Sequence, residues 1–290
     1  MTRRAATGRS RAIGARVILL IAAVPLASCG PAKPLDVPEY ARVEGASRER
    51  VAGLDRLWSR ATVQIRYTDN KNERRFEQGE GHLRIEFPTH VALSAGKIGQ
   101  TLFWLGCDDR RYWWFDLTGD DRVATVGEHG GPGASRGGLA TLISPRLLPR
   151  LMGLLPVGTA GVVQPSADHR LLSVTTRIEG GFERRWLNPA TLEPTKIELW
   201  DEQRRPLLAA DLSEYENVVL ETGGGGGPRI PTRISIGHPE SGTEIRLYLS
   251  AATDGTRTWD AGAFEFERLI GALGAARVVD LDADGPRQSY

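Results

Sequence analysis

From Thr62 to Ser250 the chain keeps returning to one pattern: short runs in which polar and apolar side chains alternate, each stopped by Gly, Pro, Asn or Asp. Thr62-Val63-Gln64-Ile65-Arg66-Tyr67 alternates cleanly, as does Gly81-His82-Leu83-Arg84-Ile85-Glu86-Phe87, which halts at Pro88. Pro231 to Ile236 and Thr243 to Ser250 repeat the pattern. A period of two gives a strand with one buried and one wet face. Further strand signals cover His90 to Ser94, Gln100 to Cys107, Arg111 to Leu117, Val123 to Val126 and Ala160 to Gln164. Others cover Arg170 to Ile178, Phe182 to Leu187, Pro194 to Trp200 and Leu207 to Tyr215. The sum is about ten to twelve short strands in one meander, and a sheet of that width must curl or close. The fold class is therefore mainly β (α+β), built as one large curved antiparallel sheet or barrel.

Two helical interruptions are expected. Ser47 reads as a cap for a helix that places Val51, Leu54, Leu57 and Trp58 on one face. In mid-chain, Leu139 to Leu155 has helical spacing and an apolar stripe too wide for a wet helix. Pro145 and Pro149 divide it into two short helices or one kinked helix. Leu147, Leu148, Leu151 and Met152 then belong either to a fixed core plug or to a movable lid over an apolar cavity. The Gly-rich Glu128 to Gly138 stretch before them and Pro156 after them are candidate hinges. Asp108-Asp109-Arg110 looks like a hairpin turn flanked by Trp104, Tyr112, Trp113, Trp114 and Phe115. Bulk on both faces of the second strand predicts apolar neighbours on both sides, so Trp104, Trp113, Trp114 and Phe115 are cavity candidates.

The first residues carry Arg3, Arg4, Arg9, Arg11 and Arg16 and no acid, then an apolar run from Val17 to Leu26 too short to span a bilayer. Leu26-Ala27-Ser28-Cys29 closes that run and resembles the lipobox of bacterial lipoproteins. The resemblance implies cleavage before Cys29, a lipidated Cys29 thiol and a membrane tether. Multiple acyl chains hold a protein stably where one does not. Gly30-Pro31 follows with no Asp, which by the sorting rules of such lipoproteins favours the outer membrane, facing the periplasm. Residues 29–45, with Pro31, Pro34 and Pro38, read as a flexible tether between signal peptide 1–28 and domain 46–282, ahead of a polar tail at 283–290.

Charges nearly balance, with 37 basic and 36 acidic residues, so no electrostatic footprint for nucleic acid exists. Cys29 and Cys107 are the two cysteines. With Cys29 taken by lipid, Cys107 has no partner and reads as a buried small hydrophobe. His82, His90, His129, His169 and His238 lack ligand spacing, so no metal or cofactor is expected. No Gly-x-Ser-x-Gly elbow occurs, and Asp108-Asp109 and Asp120-Asp121 sit in turns. The five glycines from Gly223 to Gly227 lack the Lys and Ser/Thr of a phosphate loop. No catalytic residue is assigned, and the expectation is a protein that is not an enzyme.

The order of a lead helix, strands, an apolar helical segment and more strands resembles the LolA/LolB-like family. So do Trp186-Leu187-Asn188-Pro189 with Leu192-Glu193-Pro194, and Tyr215 with Arg229-Ile230-Pro231-Thr232-Arg233-Ile234. Phe264-Glu265-Phe266 followed by Val278-Val279-Asp280-Leu281 resembles the closing segment. The family is an unclosed β-barrel with helices over its mouth that carries lipoproteins or lipids across the periplasm. The resemblance implies a membrane-tethered protein whose half-barrel binds or transfers acyl chains or lipoprotein cargo, with a periplasmic carrier or other envelope partner. An exposed apolar loop tip marks the family's lipoprotein acceptors, and the sequence offers no assignment of one. The alternative is a non-catalytic scaffolding lipoprotein of the envelope with a filled core.

Overall fold

The computed structural model describes residues 35–68, 72–130, 144–221, 227–239, 241–255 and 259–283. The expected signal segment with Cys29, residues 131–143 of the expected hinge and lid, most of the glycine insert and nearly all of the expected polar tail lie outside them. Helix α1 (Tyr40–Arg50) leads into β1 (Arg56–Thr68), β2 (Arg74–Glu86), β3 (His90–Lys97), β4 (Gln100–Cys107), β5 (Arg111–Asp116) and β6 (Val123–Glu128). A 3-10 turn (Pro145–Leu147) and the short helix α2 (Leu148–Leu151) follow. The second run is β7 (Gly161–Pro165), β8 (Leu172–Ile178), β9 (Gly181–Leu187), β10 (Pro194–Asp201), β11 (Pro206–Asn217), β12 (Arg229–Gly237) and β13 (Glu244–Thr253). A 3-10 turn (Ala261–Phe264), helix α3 (Phe266–Leu273) and β14 (Arg277–Asp280) end it.

The 14 strands of the described residues form one curved, unclosed sheet in the order β14-β6-β5-β4-β3-β2-β1-β13-β12-β11-β10-β9-β8-β7. This is the expected class of architecture, with three corrections. The described residues hold 14 strands rather than about ten to twelve. The sheet is two meanders, β1–β6 and β7–β13, joined where β1 pairs with β13, rather than one continuous meander. The last strand pairs in parallel with β6, Val278 opposite Ala124, because the α3 segment carries the chain back along the sheet before β14 begins.

The lead helix also differs from expectation. It begins at Tyr40, inside the stretch read as tether, and ends before Gly53, whose left-handed φ of 75° breaks it. Ser47 is not a cap: it is buried in mid-helix, and its Oγ accepts the Val157 N–H at 3.2 Å. Leu57 and Trp58 continue as β1, one on each face, so their helical spacing with Leu54 was coincidental. α1 is polar in composition, and packing holds it: Val43 and Tyr40 rest on Leu172, Val174 and Leu187 of β8 and β9.

Alternation sorts the side chains cleanly. Leu57, Ala61, Val63, Leu83, Ile85, Leu93 and Leu105 face inward with Ile197, Leu199, Leu212, Ile234 and Leu247 from the second meander, forming the main core. On the outer face of β5 and β6, Trp113, Phe115 and Ala124 pack beneath Phe266 and Leu269 of α3. No helix among the described residues is long and apolar enough to cross a membrane.

Close strand approach depends on glycine at Gly81, where any Cβ would overlap the Ser94 carbonyl of β3. Gly45 in α1 has open space around it. Gly81→Ala is expected to lower the melting temperature clearly, since backbone must move to admit the methyl. Gly45→Ala should raise stability by about 1 kcal/mol through helix propensity alone. Thermal melts of the two variants, read side by side, check both directions.

Candidate functional site

The inner face is covered by two things: α1 over β7–β9, and the segment from Ser144 to Val157 over the rest. Two prolines shape the second. Pro145 starts the 3-10 turn and Pro149 sits in the first turn of α2, so neither opposes a helical hydrogen bond. Gly153, at φ 68°, then terminates the helix and lets Leu154 N–H reach Pro149 O at 2.8 Å. Leu148, Leu151, Met152 and Leu154 are all buried in the main core, and Leu147 packs at its margin. Burying each such side chain contributes roughly 1.5–3 kcal/mol.

Polar contacts fasten this plug. Arg150 Nη1 donates to Glu183 Oε2 at 2.6 Å, and Arg185 donates to the other Glu183 oxygen. Glu183 on β9 is 1% exposed, and it faces inward with Arg185, opposite Leu199 and Ile197 of β10. Burial alone pushes the Glu183 carboxyl up, but the guanidiniums of Arg185 and Arg150 outweigh it and hold the pKa below the ordinary glutamate value. Arg50, at the end of α1, donates to the Gly153 carbonyl and to Arg229 O, and lies 5.9 Å from the Tyr215 ring centroid. Burial pushes the Tyr215 hydroxyl well up, and it donates to Pro194 O at 2.7 Å. Tyr40 OH donates to Gly158 O, and Ser47 takes the Val157 N–H. Arg150, the Arg50 bond to Gly153 O, Tyr40 and Ser47 join the plug or its exit to the sheet or to α1, and the remaining contacts hold the groups that surround it. What the arrangement offers chemically is a desolvated apolar interior with a small ionic latch.

The residues singled out in the sequence divide between two faces. Leu147, Leu148, Leu151, Met152 and Trp114 belong to the inner core. Trp104, Trp113 and Phe115 do not line that interior: they project from the other side of β4 and β5, against Phe264, Phe266 and Leu269. The reason is the two-residue period of the strand, which sends neighbours Trp113 and Trp114 to opposite sides. Cys107 is buried, and burial pushes its thiol up to about 12. Among the described residues no three His, Cys, Asp or Glu side chains converge on a metal site.

One residue escaped the sequence reading. The β3–β4 hairpin turns on Ile98-Gly99, between the paired Lys97 and Gln100. Both turn residues have positive φ, 49° and 76°, as a tight hairpin of this twist requires. A β-branched residue there is strained, and Ile98 is 106% exposed, so packing does not hold it in place. Phe76 on β2 is 52% exposed beneath the Arg66 guanidinium, and its neighbour Glu77 pairs with Lys97 at 3.7 Å. An apolar residue before Gly between two strand signals was the available clue.

The sequence matches no family model and no curated protein. Among solved structures, the chain is similar to a LolA superfamily protein from Nitrosomonas europaea, with 14% identity, a TM-score of 0.47, and coverage of 81% of this chain and 99% of that one. It is also similar to a DUF1329 family protein from Desulfovibrio piger, with 13% identity, a TM-score of 0.46, and coverage of 79% and 98%.

The latch makes stability pH-dependent. A depressed glutamate pKa stabilises the fold above the unfolded value of about 4.3, and that contribution is lost as pH falls through the lower folded value. Glu183→Gln should remove this acid-sensitive component. It should also destabilise the protein at pH 7 by about 3–5 kcal/mol, because Arg185 and Arg150 lose their carboxylate. Urea unfolding of both proteins between pH 3 and pH 7, spanning values around that pKa, measures the two effects.

Proposed function

We propose that this is a lipid-anchored protein of the bacterial envelope whose half-barrel binds acyl chains, its own Pro145–Val157 segment occupying the same space when no chain is present. The observation that carries the reading is how the interior is filled. The strands do not close on one another; a short proline-divided segment supplies the apolar surface instead. Leu148, Leu151, Met152 and Leu154 together bury about 6–12 kcal/mol of apolar surface, and a chain of about eight to fifteen methylenes buries as much at about 0.8 kcal/mol each. Exchange between plug and acyl chain is then close to balanced, and a carrier needs that balance to load and unload.

Two further features support it. The strained, exposed Ile98 tip, with Phe76, Lys97 and Arg66 nearby, suits contact with a lipid surface, where apolar tips insert and cations meet headgroups. It also fits the apolar loop tip implied by the LolA/LolB-like sequence resemblance. Tethering rests on the Leu26-Ala27-Ser28-Cys29 junction, and its sorting context favours the outer membrane with the domain in the periplasm. The ionic latch favours the alternative, a scaffolding lipoprotein with a permanent core.

Native mass spectrometry and lipid extraction of protein purified in mild detergent separate the two. A carrier retains acyl lipid or takes up a fluorescent fatty acid; a protein that is lipid-free and excludes the probe is a scaffold. Leu148→Asp with Leu151→Asp sharpens the distinction. A lid variant keeps its melting transition and loses lipid exchange, whereas charges driven into a fixed core abolish the melt.

Cys29→Ser is expected to release the domain into the soluble periplasmic fraction. Retention of that variant in a carbonate-washed membrane pellet would refute the lipid anchor.

A further inference from the structure

On the outer face of β1–β4, three buried nitrogen donors have no acceptor among the described residues: Trp58 Nε1, Arg84 Nε and Trp104 Nε1. They stand together. Trp58 is directly opposite Arg84 in the β1–β2 ladder, and the Arg84 guanidinium lies 6.0 Å from the Trp104 ring centroid. The carboxylate whose charge acts on Arg84 is Asp260, but it accepts the Gly262 N–H at 3.0 Å and faces Arg268 at 3.7 Å. Buried N–H groups are nearly always paired in folded proteins, so a cluster of unpaired donors on one patch points to a ligand that brings oxygen acceptors.

Beside this cluster runs a groove of about 900 Å³, lined by Arg60, Gln78, Glu80 and His82, with Gly96 at its floor where strand backbones approach too closely for a Cβ. His82 joins groove to cluster: its ring lies 5.3 Å from that of Trp58, and it is cross-strand from Arg60. Glu80 offsets Arg60 and the groove's Lys97 pairs with Glu77 at 3.7 Å, so the wall does not select an anion. An acyl chain would strand its polar groups. Planar donors and acceptors beside flat aromatic rings suit sugars, whose C–H faces lie on rings while hydroxyl and ring oxygens take hydrogen bonds. We propose that this outer face is an oligosaccharide-binding site, separate from the filled interior. Trp58, Arg84 and Trp104 anchor the sugar, the groove holds the rest, and the Trp259–Phe264 segment packed over Trp104 yields on binding.

The Trp58, Arg84 and Trp104 anchors lie on the opposite face of the sheet from the acyl-binding interior, so the site stands without that reading, while Lys97 and Ile98 border both the groove and the lipid-facing tip. Tryptophan fluorescence and calorimetric titration of the full mature protein with chitohexaose and with hexagalacturonate test it, the pair separating a neutral from an acidic sugar. Saturable binding of at least one is expected. Arg84→Met and Trp104→Phe should each weaken binding by about tenfold or more, a loss of about 1.4 kcal/mol. Thr62→Trp should do the same by filling the groove from an outward-facing strand position, where folding is least at risk. No binding of either saccharide at millimolar concentration, binding that survives all three substitutions, or saturation by an unstructured peptide in place of either sugar would each overturn the proposal.

Discussion

The architecture depends on the pairing of β1 with β13. β1 runs from Arg56 to Thr68 and hydrogen-bonds on both sides, to β2 along its whole length and to β13 from Trp58 to Arg66. That contact joins residues near the two ends of the folded chain and converts two independent meanders into one sheet. Without it each meander would expose an edge and half of an apolar face. Because it is so distant in sequence, its loop-closure entropy must be met before the core rewards it, and the fold is expected to form slowly for its size. A single sheet of this width coils, and coiling creates an inner face that must be covered.

Cover comes unevenly. α1 lies over β7–β9, and the Pro145–Val157 segment fills the centre with aliphatic side chains. A fully apolar plug would have been the simpler solution, yet Glu183, Arg185 and Arg150 form a buried ionic group at its edge. Such groups add little net stability, because desolvation offsets the attraction, but they penalise every arrangement that leaves one charge unpaired. The latch therefore sets position more than strength. Together with Arg50 on the Gly153 carbonyl and Ser47 on Val157, it defines one seating for a segment that apolar packing alone would hold loosely.

The two faces of β4 and β5 have separate lives. Leu105, Tyr112 and Trp114 serve the inner core, while Trp104, Trp113 and Phe115 meet the C-terminal segment. Along β1 and β2 the outer face is neither covered by α3 nor apolar: it carries Arg60, Glu80 and His82 beside tryptophan nitrogens without acceptors among the described residues. The two faces of the sheet therefore differ in chemistry, apolar on the inside and polar with aromatic nitrogens on the outside.

Sequence alone determined the strand content, because alternation is a local consequence of having one wet and one dry face. Strand ends at Gln100, Cys107, Arg111, Val123 and Pro194 were legible for the same reason. The two proline-split helices over 145–151 were also legible, since proline acts on its own turn. Partnering was not. Whether β6 leads to β7 in space or to β14, and whether β1 finds β13, depends on contacts that no local pattern encodes. The lead helix was misplaced because Leu54, Leu57 and Trp58 fit a helical stripe as well as a turn followed by a strand, and packing on β8 and β9 chose the earlier segment. The ionic latch was hidden for a related reason: Glu183 and Arg185 look like ordinary surface charges in a strand, and only the curvature of the sheet turns that face inward.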